Sequence, residues 1–375
     1  MEQWTCPDER PYVMILFLVQ CPTPQHTPTF NRLADEFGLD LTVFYLEPAP
    51  QDDRGWGDVV ISHRYEVLSD VRARVALARA LLSSDLAAVC LYGYRDLPRI
   101  GASLIARLRA TPVFLRVTGN VRDELARSRL RRLAKRWYLR AILGQPEIWV
   151  IGTSNAAWWA TLGQRRHHLI PYSLARLPDG ADGAPALRRQ LDLAGRFVFA
   201  FVGRLEPIKG LADLLNAYDQ VRASLPPHST ALMITGSGSL EPLVRDYASS
   251  HDDCHYLGAL PQSRLGAVYV AADCVVIPSL SETWCWVVNE ALGFGTRVVA
   301  SDAVAAADDH GREETGRRCP VSDAAGLAEA MRSEYELGPR AAPRLPPRDT
   351  AADIADRLRS VVGVEAPGRP KILLD

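Results

Sequence analysis

Two glutamates, Glu282 and Glu290, stand with seven residues between them in PSLSETWCWVVNEALGFGTRVVASD, the segment from Pro278 to Asp302. Carboxylates accept hydrogen bonds from hydroxyl groups, so such a pair can hold a polyhydroxylated ligand. The run before them, DCVVIPS, is short, apolar and β-branched and stops at Pro278. After Thr283, apolar residues recur at helix spacing at Val287, Val288, Ala291 and Leu292. A second apolar run, TRVVASD, follows the break at Gly293 and Gly295. Strand, loop, helix and strand make one βαβ unit. Its ligand-facing point is the carboxyl end of the first strand, beside the free N–H groups of the helix start. Hydroxyls and an anion can be bound there together.

A second constellation lies upstream, where FVFAFVGRLEPIKG ends a strand at Gly203 and presents Arg204 and Lys209, followed by Gly210. Arginine offers a planar fork of donors and lysine a mobile point charge. At a strand's carboxyl end the two can clamp a diphosphate and neutralise charge on a phosphate leaving group. Taken alone, two cations at this spacing read more readily as solvated surface charges flanking a helix start; the helix PIKGLADLLNAY that begins at this point shifts the reading toward a ligand. ALMITGSGSLEPL is a further strand-to-turn unit, in which Gly236 and Gly238 admit close backbone approach. The dinucleotide fingerprint requires a third glycine where Glu241 stands, which argues against a nicotinamide enzyme.

The elements that must position these residues are strands alternating with helices. YVMILFLV, LTVFYLE, AAVCLYG, PVFLRV and IWVIGTS read as strands in the first half, with amphipathic segments such as ARVALARALLS between them. This alternation predicts a parallel sheet covered by helices. SLARLPDGADGAPA, residues 173–186, has no periodicity and reads as a linker. The alternation restarts with FVFAFVG, TALMITG, CHYLG, CVVIPS and TRVVAS. The fold class is thus α/β, with two Rossmann-like parallel-sheet domains over residues 1–172 and 187–345. A C-terminal helix, DIADRLRSVVG, and a loose tail, PGRPKILLD, fall within 346–375.

Composition narrows the function classes. The chain has 375 residues, 47% hydrophobic and 23% charged, enough for two cores. Its formal net charge of −1 supplies no global field for nucleic acid. Seven cysteines are scattered without a CxxC pair or a His/Cys cluster at zinc spacing, so a reduced, metal-free, cytoplasmic protein is expected. YVMILFLV is far shorter than the ~20 residues that span a bilayer, and it has neither the basic lead nor the cleavage site of a signal peptide. The Ala/Arg/Pro-rich composition suggests a high-GC bacterium.

From Phe197 to about Gly316 the chain resembles the donor domain of family 4 glycosyltransferases, retaining enzymes of the GT-B fold. GRLxxxKG spans Gly203 to Gly210, a GxG turn begins at Gly236, an LG turn lies at Leu257 and Gly258, and the E-x7-E pair is Glu282 and Glu290. The resemblance implies a nucleotide sugar as co-substrate, UDP derivatives first, with no metal and no other cofactor. It implies that Arg204 and Lys209 hold the diphosphate, Glu282 the sugar hydroxyls and Glu290 the ribose hydroxyls. Backbone at Thr283, Trp284, Cys285, Trp286 and Val287 would contact sugar and phosphate, with Gly203 and Gly236 in the turns and backbone near Leu260 at the base. Cys285 stands where the family usually has glycine, so its side chain, between two tryptophans, would narrow the approach to the sugar. A nucleophilic role for Cys285 is set aside, since no histidine neighbours it in sequence.

The first domain matches that family only in outline. Its first strand is followed by QCPTPQHTPTF, in which Thr27 as N-cap and Pro28 as first helical residue would start a helix with its donors toward the cleft. Gln25 and His26 would then line the acceptor side, although an ordinary loop position for His26 reads as well. Where many members of the family have a histidine after a middle strand, LRVTGN supplies Arg116 and Thr118. RSRLRRLAKRWYLRAILG, from Arg127 to Gly144, is a basic amphipathic helix. It reads as a surface helix that covers IWVIGTS with its apolar side, in preference to one lying on an anionic membrane. The activity implied is retaining transfer of a sugar to a hydroxyl acceptor, a small secondary metabolite or an envelope glycan or lipid. Front-face substitution is expected, because no second carboxylate is placed as a nucleophile. A non-catalytic protein that binds a nucleotide sugar or a partner is the rival reading.

Overall fold

The apolar runs become the inner strands of two parallel sheets, each buried on both faces, as continuous hydrophobic strands require. The computed structural model describes residues 13–49, 59–119, 121–172, 177, 179–310, 313–339, 341–345 and 349–363, without the side chains at 122 and 123. Cys6 and the tail read from PGRPKILLD lie outside the described residues.

The first sheet holds β1 (Met14–Val19), β2 (Leu41–Tyr45), β3 (Arg64–Val67), β4 (Leu86–Leu91), β5 (Val113–Leu115), β6 (Glu147–Val150) and β7 (His167–Leu169), in the order β3-β2-β1-β4-β5-β6-β7. The second holds β8 (Phe197–Val202), β9 (Thr230–Thr235), β10 (Cys254–Tyr256), β11 (Cys274–Ile277), β12 (Arg297–Ser301) and β13 (Gly316–Cys319), in the order β10-β9-β8-β11-β12-β13. All pairings are parallel, with Leu18 opposite Leu91 across β1/β4 and Phe199 opposite Cys274 across β8/β11. Both sheets are doubly wound. Each therefore has a switch point, at β1/β4 and at β8/β11, where the chain leaves to opposite sides and a crevice opens past the strand ends.

Three strands escape the sequence reading, namely β3, β7 and β13. RYEV, HHL and GRRC sit at sheet edges, with the first two almost wholly exposed, and so carry no apolar alternation. Two expectations about helices are corrected. The first helix is Thr27–Asp35, with His26 and not Thr27 at its N-cap. Thr27 is buried, and its hydroxyl accepts from Thr23 N at 3.1 Å, which takes it away from the helix end.

The basic helix, Arg129–Leu143, buries Leu139 and Leu143 against the first sheet's core. Leu130, Leu133 and Trp137 face solvent at 77%, 49% and 66% exposure. The apolar stripe expected to cover β6 thus points outward among the arginines.

Within the stretch read as a linker, residues 181–183 form a short 3-10 turn and Ala184–Gln190 a helix that packs on the second domain, where Gly266 N donates to Asp179 O at 3.0 Å. The last helix, Thr350–Val362, returns to the first domain. Its Ile354, Ala355 and Leu358 fill a core shared with Phe17, Phe30 and Val43. Arg32 forks both oxygens of its N-cap Asp349 at 2.8 Å, Arg357 Nε donates to Glu147 at 2.7 Å, and Thr350 Oγ1 donates to Pro171 O at 2.8 Å.

Candidate functional site

At the second sheet's switch point, three loops are sewn together through their backbones. After β8, Leu205 N donates to Ser237 O and Gly203 N to Thr235 O, which joins the GRLEPIKG loop to the GSGS turn. Leu280 N donates to Ile208 O at 2.8 Å, which joins it to the loop after β11. Glycine makes this possible. A Cβ on Gly236 would lie 1.8 Å from Gly203 O, and one on Gly210 2.1 Å from Pro278 O. Both residues also have positive φ, +145° and +70°.

The sewing brings Lys209 and Glu282 together. Lys209 Nζ donates to Glu282 Oε1, which also accepts from Ser279 Oγ at 3.1 Å. Glu282 therefore precedes the helix and is held by a lysine, not by the helix end. Arg204 is exposed on the same loop. The helix Trp286–Phe294 starts beside this pair, and Val288 N of its first turn donates to Cys285 O at 3.3 Å. Its N-cap is Cys285 at φ +84°, a conformation natural to glycine and strained for any other residue. Burial pushes the Cys285 thiol up to about 12, so the thiolate that a nucleophile needs is scarce.

Glu290, one turn further on, receives a 2.5 Å hydrogen bond from the buried hydroxyl of Tyr269. Burial outweighs that bond and raises its carboxyl to about 7. Gly258 O accepts from Gly236 N and Thr235 Oγ1, which sets the loop leading to the half-buried Leu260.

Of the two tryptophans, Trp284 is buried, its indole N–H donating to Asn289 at 2.8 Å. Trp286 is half-buried and packs on Tyr172 of the first domain with centroids 4.5 Å apart.

On the first domain, His26 lies between Tyr92 and Tyr172, at 5.4 and 5.7 Å between centroids. Burial first, and then the Arg116 charge, lower its imidazole to about 3, so it stays neutral at physiological pH. Arg116 is buried. Its Nη1 donates to Ile170 O at 2.9 Å and its guanidinium lies 4.7 Å over the Tyr172 ring. Both residues thus hold Tyr172, which holds Trp286. Gln25 is half-buried beside His26.

Thr118 lines a separate cavity of about 590 Å³ at the β1/β4 switch point, and Thr283, from the loop after β11, lines it too. Sequence reasoning missed the residues that fill its walls, Arg99, Glu124, Lys135 and Trp158. The available signal was Gly93, at the end of the strand AAVCLYG. The domains touch again where Asp309 accepts from Thr153 N at 3.1 Å and Thr153 Oγ1 at 2.6 Å. Among the described residues no group of His, Cys, Asp or Glu could hold a metal ion, and no helix is long and apolar enough to cross a membrane.

Comparison with known proteins bears on the fold and on the second domain. The family described as "Glycosyl transferases group 1" matches residues 196–336. Glycogen synthase of Mycobacterium tuberculosis is 35% identical over 147 residues, which cover 38% of this chain and 35% of that protein. D-inositol 3-phosphate glycosyltransferase of Nocardia farcinica is 34% identical over 142 residues, 34% of this chain and 32% of that protein. The alignments thus span about a third of the length of these curated relatives. The crystal structure of Anabaena HepE in complex with UDP superposes with a TM-score of 0.66 at 15% identity, over 94% of this chain and 98% of that one, which shows the two-domain GT-B fold.

Proposed function

We propose, for a chain whose residues 196–336 belong to the glycosyl transferases group 1 family, that it moves a sugar from a nucleotide sugar to a hydroxyl acceptor with retention of configuration. The observation that carries this reading is the pairing of Lys209 with Glu282 beside the start of the helix Trp286–Phe294. A diphosphate is held by a cation at the positive end of a helix, and the sugar hydroxyls by a carboxylate. Glu290 then receives the ribose hydroxyls, and Arg204 swings onto the phosphates from its exposed position. As the donor's bond breaks, negative charge grows on the departing diphosphate, where Lys209, Arg204 and the helix start stabilise it. The acceptor approaches on the same face, and a phosphate oxygen of the donor takes its proton. UDP is the favoured nucleotide, since HepE of Anabaena was crystallised with it.

Thermal unfolding with UDP, GDP and dTDP, free and as sugar derivatives, tests the donor site. A ligand of the folded state raises the midpoint in proportion to the logarithm of its concentration. Absence of a shift with every nucleotide would sink the donor reading, and binding without transfer to any hydroxyl acceptor would favour the non-catalytic rival.

A second reading concerns location. The exposed Leu130, Leu133 and Trp137 lie on one side of a helix that also carries Arg129, Arg136 and Arg140, the composition of a peripheral contact with an anionic bilayer. Co-sedimentation with phosphatidylglycerol vesicles, and none with phosphatidylcholine vesicles, is expected. Equal recovery in the supernatant with both removes it.

A further inference from the structure

The helix Thr153–Thr161 of the first domain starts without a cap of its own, because Gly152 precedes it and has no side chain to offer. Its first N–H is taken across the domain boundary. Asp309, in the helix Ala305–His310 of the second domain, accepts from Thr153 N with both carboxylate oxygens at 3.1 Å and from Thr153 Oγ1 at 2.6 Å. A carboxylate at a helix N-terminus satisfies an orphan donor and is favoured by the helix dipole. The cap that a helix ordinarily finds in its own sequence is here supplied by the other domain.

Gly152 is fully extended at φ −179°, a backbone that any residue adopts, so the demand for glycine there is one of space. A Cβ would lie 1.9 Å from Asp309 Oδ2 and 2.7 Å from the Trp284 ring. Trp284 stands two residues past Glu282, and its carbonyl accepts from Ala306 N at 2.9 Å, which ties the loop of Glu282 to the helix that carries Asp309. On the other side of the boundary, Asn155 Nδ2 and Trp159 Nε1 of the capped helix both donate to Val117 O at 3.2 Å. They thereby fix the segment that presents Thr118. Thr118 and Thr283 line one cavity from opposite domains, so the chain of bonds through Asp309 joins its two walls.

We propose that Asp309 is a positioning residue for sugar transfer: by capping the helix Thr153–Thr161 it sets the distance between the two walls of the crevice. Its effect on turnover rests on the transferase reading, whereas its effect on domain arrangement rests on the contact alone. A transfer between groups held on opposite walls is sensitive to small displacements of either wall. The contact is placed to be adjustable, since Thr153 is exposed and Asp309 only half-buried. Neither belongs to the hydrophobic cores, so removing the pair leaves both domains able to fold.

The test uses the full chain with UDP-glucose as the probe. Small-angle X-ray scattering reads the separation of the domains, calorimetry the affinity for UDP, and UDP release from UDP-glucose the turnover. Asp309→Ala should enlarge the radius of gyration and lower kcat about tenfold or more at unchanged UDP affinity, since a misplacement of about 1 Å can cost about a hundredfold. Asp309→Asn, which keeps an acceptor for Thr153 N, should restore part of the loss. Thr153→Val removes the hydroxyl half of the contact, and the double variant should lose no more than Asp309→Ala alone, as two halves of one interaction do. Gly152→Ala, which drives a Cβ into Asp309, should reproduce the loss. An unchanged radius of gyration, an unchanged kcat, losses that add as for independent sites, or UDP affinity that falls in step with kcat overturns the proposal. A wild-type chain that binds no UDP, or releases none from UDP-glucose, defeats the transferase reading instead, and the scattering then decides by itself whether Asp309 sets the domain arrangement.

Discussion

The two switch points use glycine for opposite purposes. At β8/β11, Gly236 and Gly210 clear space for backbone oxygens of Gly203 and Pro278, so three loops lie in direct main-chain contact. At β1/β4, Gly93 clears space for the guanidinium of Arg99, and Gly119 for the indole of Trp158, which a Cβ would approach to 2.2 Å. Main chain cannot retreat without moving a strand, whereas a side chain can change rotamer. The β8/β11 crevice is therefore fixed by main-chain packing and the β1/β4 crevice by replaceable side chains. The first can stay constant while the second is remodelled.

The largest expected effect bears on the fixed side. Lys209→Ala should lower kcat by roughly 100- to 1,000-fold, the scale for losing one preorganised donor to a developing anion. Steady-state turnover with saturating donor checks this, and unchanged kcat would mean that the loops hold something other than a leaving group.

A matched pair of substitutions then measures the contrast itself. Gly236 and Gly93 have nearly the same φ, +145° and +146°, so the strain of adding a Cβ is common to both. Gly236→Ala should cost about 3 kcal/mol, from that strain plus collision with immovable backbone, and Gly93→Ala about 1–2 kcal/mol, since Arg99 can shift. Urea denaturation reads both. Equal losses would break the comparison.

A smaller effect follows from Glu290. In the proposed ribose-binding role the ionised carboxyl is the stronger acceptor, and with a value of about 7 it is increasingly protonated as pH falls below that. UDP should thus bind about tenfold more weakly at pH 6 than at pH 8, and Glu290→Gln should flatten the part of this dependence that does not come from the phosphate. The stability sign is opposite. Burial of an acid raised above its unfolded value of 4.5 costs nothing at low pH, so the contribution of Glu290 to folding falls as pH rises from about 4.5 to about 7. The smallest effect is Cys285→Gly, which releases a strained φ and should stabilise the fold by about 1 kcal/mol.

The same contrast explains what the sequence made legible. GRLEPIKG, GSGS and ETWCWVVNE were readable because close main-chain packing demands particular residue types at fixed spacing. The inner strands were readable for a similar reason, as burial on both faces leaves continuous apolar runs such as FVFAFV and TALMIT. Arg99, Glu124 and Lys135 were not, since they converge from separate helices and no spacing rule ties them. Tyr172 was hidden likewise, as its role depends on contacts with His26, Arg116 and Trp286 across distant segments. The helix Arg129–Leu143 misled because a periodic stripe says which side is apolar and not which side is covered.

The closing helix, Thr350–Val362, has a consequence for synthesis. The first domain is translated first, yet Ile354, Ala355 and Leu358 complete its core. A fragment ending at residue 172 lacks this cover and exposes Phe17, Phe30 and Val43 around the gap it leaves. The first domain, although mostly translated first, therefore cannot complete its core until nearly the whole described chain has been made.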